Sequence, residues 1–280
     1  MRSVFVLSLA LLAACDPPRR PVAATPADVV HPPAPTAPAP QPAPRGVPRY
    51  IAEPVRRIEH TPDAFTQGLA FHGPRLFEST GLHGQSSVRE LDPNTGRVMR
   101  RREVPSEHFA EGLTIFNGQV FQITWQSQRC FVYDLDTFRP VAEHTYVGEG
   151  WGLTHDGHNL ILSDGSARLR FFDPRTFVEQ RSVRVRDGET AIDQLNELEM
   201  IDGEVWANIW HEDRIARIDP ATGRVVAWVD ASALHDSLHL GDPEAVLNGI
   251  AYESSTRRIL LTGKNWPALF EIRLRPAAAP

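Results

Sequence analysis

One carboxylate, one ammonium, three amides and three indoles recur in a fixed register along this 280-residue chain. Gln67, Glu111, Trp151, Asn196 and Asn248 each stand two residues before an aliphatic residue (Leu69, Leu113, Leu153, Leu198 and Ile250) that opens an apolar run. A second set follows the next apolar run: Gly81, Trp125, Gly165 and Trp210, with Lys264 in a longer last unit. If equivalent positions meet at one end of the fold, Glu111 faces Lys264 in a pocket walled by Trp125, Trp151 and Trp210. Taken singly, each has a plainer role: an indole in a strand packs in the core, and a loop lysine is solvated. Of Glu197 and Glu199, beside Asn196, one reads as the charge partner of an arginine, with a catalytic role for Glu197 as the alternative. The shared register favours the pocket, because three indoles fall at the same end of the ring and two of them, Trp125 and Trp210, stand where other units carry glycine. The eleven histidines show no metal-binding spacing, and His155-Asp156-Gly157-His158 reads as a turn.

These residues are spaced by a repeat. The aliphatic positions 69, 113, 153, 198 and 250 are separated by 44, 40, 45 and 52 residues, a period that signals a repeat architecture. Each unit opens with a short phrase such as Gln67-Gly68-Leu69, Glu111-Gly112-Leu113 or Trp151-Gly152-Leu153, and continues with further apolar runs. Asp92-Pro93-Asn94-Thr95-Gly96, Asp136-Thr137-Phe138, Asp173-Pro174-Arg175-Thr176 and Asp219-Pro220-Ala221-Thr222-Gly223 supply tight turns between the third and fourth runs. Four short strands per unit, with no sustained helical period, predict an all-β, five-bladed β-propeller. The last unit lacks a fourth strand, and the run 50–58 is predicted to supply it and close the ring, leaving few exposed edges.

Ahead of this domain, residues 1–15 read as a signal peptide: a basic start, an apolar run too short to span a bilayer, then Leu12-Ala13-Ala14-Cys15. That ending resembles a bacterial lipobox, which implies lipidation of Cys15, a membrane anchor and a periplasmic location. Asp16 resembles an inner-membrane retention signal. Residues 16–48, mostly Pro and Ala, bury too little to offset their ordering entropy and read as a disordered tether. The propeller is expected over 49–275, with 276–280 a disordered tail. Cys130 has no partner within the domain and reads as a small buried hydrophobe. A net charge of −6 and the absence of a basic run argue against nucleic-acid binding. A monomer is expected.

Phe65-Thr66-Gln67-Gly68-Leu69, Phe77-Glu78-Ser79-Thr80-Gly81, Glu111-Gly112-Leu113-Thr114, Gly150-Trp151-Gly152-Leu153, Leu195-Asn196-Glu197-Leu198 and Thr262-Gly263-Lys264-Asn265-Trp266-Pro267 resemble, in this order, the motifs of plant and bacterial glutaminyl cyclases. The resemblance runs from about residue 50 to the last strand and implies a five-bladed propeller. It places the pocket on Phe65, Gln67, Phe109, Glu111, Trp125, Trp151, Asn196, Trp210 and Lys264. It also implies that the substrate is an N-terminal glutaminyl peptide or protein, closed to pyroglutamate with loss of ammonia, and that no metal or cofactor is required. Glu111 would then shuttle the proton, Lys264 or Asn196 would stabilise the developing oxyanion, and Gln67 and Asn196 would hold the substrate. Indole walls would raise the pKa of Glu111 while Lys264 would lower it, and sequence alone leaves the net direction open. Two other functions are compatible with an all-β repeat: a calcium-dependent lactonase-like hydrolase using Glu111, Asn196 and Asn248, and a non-catalytic peptide-binding propeller. The first leaves Lys264 and the tryptophans without a task.

Overall fold

The computed structural model describes residues 46–278, so the signal sequence, Cys15 and most of the tether lie outside the described residues. Its 22 strands form antiparallel meanders. Strand β1 spans Arg49–Glu59. The first meander is β2 to β5 (Thr66–His72, Arg75–Thr80, Ser87–Leu91 and Val98–Glu103), and the second β6 to β9 (Ala110–Phe116, Gln119–Thr124, Arg129–Asp134 and Pro140–Thr145). The third is β10 to β13 (Leu153–His155, Leu160–Leu162, Arg168–Phe172 and Glu179–Arg184), followed by the short pair β14 and β15 (Arg186–Asp187 and Thr190–Ala191). The fourth is β16 to β19 (Leu195–Ile201, Glu204–Ile209, Arg214–Ile218 and Val225–Asp230). After the five-residue helix α1 (Ser232–Asp236) come β20 to β22 (Leu247–Glu253, Arg258–Gly263 and Ala268–Pro276).

The N-terminal strand does complete the last meander: β1 pairs antiparallel with β22, from Tyr50 opposite Pro276 to Glu59 opposite Ala268. Two details depart from the sequence expectation. Arg49 to Ile51 also pair in parallel with Trp228 to Asp230 of β19, which joins two meanders into one eight-stranded sheet. The expected tail is partly strand, since β22 reaches Pro276 and the Ala277 N–H donates to the Arg49 carbonyl at 2.9 Å. At the other end, the Pro48 carbonyl accepts from Trp228 N–H at 2.9 Å.

The first strands meet in a cycle: β2 against β6, β6 against β10, β10 against β16, β16 against β20, and β20 against β2. Five apolar clusters lie between successive meanders, from Phe77, Val88 and Phe138 between the first and second to Ile58, Leu69, Leu76 and Leu260 between the last and first. The repeated glycines follow from this crowding. A Cβ on Gly68, Gly112 or Gly152 would stand 2.6, 2.5 or 2.1 Å from backbone atoms of the next first strand. The fourth unit carries Glu197 instead, and its carboxylate accepts from Leu69 N–H (3.1 Å) and Ile250 N–H (2.9 Å), bridging the strands across the cycle. Glu197 and Glu199 therefore bond backbone N–H groups, Glu199 that of Tyr252 at 2.9 Å, rather than the arginine expected.

The turns obey an Asp-x-x-Thr rule. Asp92 Oδ1 accepts from Asn94 and Thr95 N–H, and Asp173 and Asp219 act similarly. In the second meander the anchoring residue is Asp134, which accepts from Thr137 N–H at 2.9 Å; the turn starts two residues before the expected Asp136. Cys130 is fully buried.

Candidate active site

Most pocket residues lie next to a strand terminus or at a register shift. Ladders β2–β3, β6–β7, β16–β17 and β20–β21 slip between Thr66 and Gly68, Ala110 and Leu113, Leu195 and Leu198, and Leu247 and Ile250. Those slips contain Gln67, Glu111, Asn196 and Asn248, and an irregularity of this kind re-aims a side chain at the end of a sheet. Trp125 and Trp210 follow the last residues of β7 and β17, and Lys264 follows β21. Phe65 and Phe109 precede β2 and β6, held in place as the Gly81 and Trp125 N–H groups donate to their carbonyls at 2.8 and 2.9 Å.

Phe65, Gln67, Phe109, Glu111, Trp125, Trp151, Asn196, Trp210 and Lys264 converge on one cavity of about 230 Å³, together with Glu244, which sequence reasoning missed. Pockets for drug-sized ligands run to roughly 300–1,000 Å³, so this one has room for about one residue. Grooves of about 540 and 490 Å³ on the flanks hold none of the repeated positions. Asn248, counted in the ring by register, stays beneath the cavity as a brace: its Nδ2 donates to the Thr66 carbonyl (2.9 Å) and to Gln67 Oε1 (3.0 Å). Gln67 Nε2 in turn donates to Glu111 Oε1 at 3.0 Å. Gln67 thus orients Glu111 while itself lining the cavity.

The walls interlock edge to face, Phe65 with Phe109 (6.0 Å between centroids), Phe109 with Trp125 (5.8 Å) and Trp151 with Trp210 (5.4 Å). Where units carry glycine in place of tryptophan, a neighbour's ring fills the space. A Cβ on Gly81 would meet Phe109 at 2.4 Å, and one on Gly165 would meet Trp151 at 2.7 Å. Glu149, also missed from sequence, fixes two walls at once: its Oε2 accepts from Trp125 Nε1 (2.8 Å) and Trp151 Nε1 (3.0 Å), and its Oε1 from Gln126 Nε2 (3.1 Å). Burial would raise its pKa, but these three donors outweigh it and hold Glu149 below the ordinary carboxyl range. Below the pocket, Glu78 accepts from Thr66 Oγ1 and pairs with His60, both at 2.8 Å, anchoring the residue next to Gln67. Burial works against both charges, yet mutual attraction prevails, raising His60 and lowering Glu78.

Two opposed shifts set the chemistry. Burial raises the Glu111 pKa well above the usual carboxyl value, with Lys264 offsetting part of the rise and Glu149 adding to it. Burial lowers Lys264, which Glu111 and Glu244 partly offset. The direction left open by the sequence is therefore upward for Glu111. The Lys264 ammonium also lies 4.9 Å from the Phe65 ring centre and 5.9 Å from that of Trp210. Two buried polar atoms in the wall have no partner among the described residues: Asn196 Oδ1, an acceptor, and Trp210 Nε1, a donor. Buried polar groups are rarely left unpaired, so these two are available to a ligand. Among the described residues, no three His, Cys, Asp or Glu side chains cluster as metal ligands.

A neutralisable carboxyl and a buried amine, behind indole walls and at one end of an all-β repeat, form an arrangement suited to acid–base chemistry on a small group. The chain belongs to the glutamine cyclotransferase family, whose family model matches residues 29–274. A curated glutaminyl-peptide cyclotransferase of Arabidopsis thaliana is 43% identical over 235 residues, covering 81% of this chain and 72% of that protein. The crystal structure of Myxococcus xanthus glutaminyl cyclase matches with a TM-score of 0.79 at 39% identity, covering 82% of this chain and 99% of that one.

Proposed function

We propose that this chain is a glutaminyl-peptide cyclotransferase that closes the N-terminal glutamine of peptides or proteins to pyroglutamate, releasing ammonia, without a metal or cofactor. Its scaffold is then a five-bladed β-propeller, supported by the cycle of five first strands and the five clusters between meanders. The observation that carries the reading is the pairing, in a one-residue cavity, of a proton-accepting carboxyl with unpartnered Asn196 Oδ1 and Trp210 Nε1.

In the proposed reaction the substrate's α-amine attacks its own side-chain amide carbon. A new C–N bond forms, and the proton displaced from the amine passes to Glu111, held by Gln67. Negative charge gathers on the former amide oxygen, where Lys264 and Trp210 Nε1 supply positive charge and a donor; losing one such donor costs roughly 3 kcal/mol in well-studied enzymes. Glu111 then returns its proton to the amide nitrogen, the old C–N bond breaks and ammonia leaves. A raised carboxyl pKa suits this double duty, because a shuttle works best when its pKa lies near the working pH. Asn196 Oδ1 accepts from the substrate's amine or amide N–H. The aromatic walls keep the chain folded and exclude the water that would otherwise hydrolyse the amide.

Two carboxyls, Glu111 within and Glu244 at the mouth, with an amine between their charges and aromatic walls around them, are a poor cage for a hard cation, which supports the metal-free reading over a calcium-dependent hydrolase. Incubating the full-length protein with a short glutamine-initiated peptide, with and without a chelator, tests it. Equal ammonia release and loss of free amine in both samples are expected; no release refutes the cyclase, and release only without chelator refutes metal independence. We also propose, from sequence, that the chain is an exported monomer lipidated at Cys15, with residues 16–48 as its tether; Cys15→Ser should move it from the membrane to the soluble fraction.

A further inference from the structure

We propose that Glu244 selects substrates by the charge of the residue following the N-terminal glutamine, favouring lysine or arginine there over an acidic side chain. This rests on the cyclase reading. Of the ten side chains around the cavity, Glu244 alone belongs to an exposed residue, with its side chain 49% exposed, whereas Glu111 and Lys264 are each only 5% exposed. The two charges inside the cavity therefore face the reacting atoms, and the one at its mouth faces whatever passes through. Ring closure joins two atoms of the same residue, so the whole reacting unit fits within the glutamine. Only its carbonyl and the next residue must leave the cavity, and they leave past Glu244.

Glu244 is held in place rather than carried on a free loop. Its N–H donates to Asp242 Oδ1 at 2.9 Å. The next two residues, Ala245 and Val246, are buried, and their carbonyls accept from Trp266 Nε1 (2.8 Å) and Lys264 N–H (3.0 Å). The turn carrying Glu244 is thus bonded to the segment carrying Lys264. Its charge is also uncommitted. Other acids at this end have partners: Glu149 holds two indoles, Glu212 pairs with Arg214, and Asp213 with His235 at 2.7 Å. Glu244 has only His211, 3.9 Å away and itself 46% exposed, and among the described residues no lysine or arginine pairs with it. His211 lies over the Trp210 wall, 4.3 Å between ring centres, so a cation held by Glu244 would lie beside the wall of the cavity.

The effect belongs to the exposed-pair regime, where one contact changes an equilibrium by about 1.4- to 5-fold and is screened by salt. Comparing lysine with glutamate counts an attraction and a repulsion, giving about twofold to 25-fold. The test uses the full-length protein and three otherwise identical peptides beginning Gln-Lys, Gln-Ala and Gln-Glu, with kcat/KM read from ammonia release at low and at 1 M salt. We expect the order Lys, Ala, Glu, narrowing at high salt, flattened by Glu244→Gln and reversed by Glu244→Lys. Ratios are taken within one enzyme, so any change these substitutions cause at Lys264 cancels. Equal turnover of the three peptides by the unmodified protein, or an order that survives charge reversal, overturns this assignment alone. Absence of ammonia from all three would overturn the cyclase reading and this assignment with it.

Discussion

Replacing Glu149 with glutamine should slow turnover about 5- to 30-fold and move the acid limb of the rate profile to lower pH. One carboxylate oxygen accepts from both Trp125 and Trp151, at 2.8 and 3.0 Å. A hydrogen bond to a charged acceptor is worth about 1–1.5 kcal/mol more than one to a neutral group, so neutralising Glu149 weakens the two by up to about 3 kcal/mol together. Glu149 is only half-buried, and solvent screening reduces this to about 1–2 kcal/mol. The indoles are cavity walls, so that loss should fall on the orientation of the substrate, with tenfold in rate for each 1.4 kcal/mol. The Glu149 charge also helps raise the Glu111 pKa, and its removal must lower that pKa. The assay is kcat/KM for a glutamine-initiated peptide from pH 5 to 9. A variant within twofold of the unmodified protein, with an unmoved acid limb, would refute both the bracing role and the electrostatic coupling.

Glu111→Gln should lower turnover by about 10²- to 10⁴-fold while the protein stays folded, because an amide cannot take and return a proton; an active variant removes Glu111 as the shuttle. Gly165→Ala places a methyl 2.7 Å from the Trp151 indole at φ +77°, and should cost about 1–3 kcal/mol and raise KM. The same change at Gly118, φ +73° but in open space, should carry only the backbone cost and leave KM alone, as chemical denaturation and kinetics of the two variants will show. Burial pushes Glu199 up to about 8, so its contribution to stability is full below about pH 4.5 and is lost as pH rises through 8. Glu199→Gln should therefore gain on the unmodified protein by about 2–4 kcal/mol between pH 5.5 and 8.5; a constant gap in denaturant midpoints would show that Glu199 titrates as an ordinary carboxyl.

How much of this was legible beforehand depends on whether a residue's role repeats. Gly68, Gly112 and Gly152 are forced by one event, the close approach of adjacent first strands, and so they recur and can be aligned by eye. The same register brought Gln67, Glu111, Trp125, Trp151, Asn196, Trp210 and Lys264 into one cavity. Glu149 and Glu244 have no counterparts at equivalent positions. Glu149 acts through a tryptophan 24 residues away, and Glu244 lies on the turn that makes the last repeat step the longest. Register also misplaced Asn248, which points the way its equivalents do but finds Gln67 between itself and the cavity. Membership of a ring can be read from spacing. Depth within it depends on which neighbour's side chain arrives first.

The walls and the charges of this site are not separable. The same aromatic enclosure that would fold a substrate removes water from Glu111 and Lys264, and burial is the largest cause of both shifts, upward for the acid and downward for the amine. Each shift is held in check by the other group, since Lys264 lowers Glu111 and Glu111 raises Lys264. An opening made by trimming any indole would rehydrate both groups and pull the two pKa values apart, toward those of an ordinary carboxylate and an ordinary ammonium. The carboxylate would then be too weak a base to take the amine's proton, even with every polar contact intact. Glu149 matters for this reason: by pinning Trp125 and Trp151 it maintains the dryness on which the proposed proton shuttle would depend.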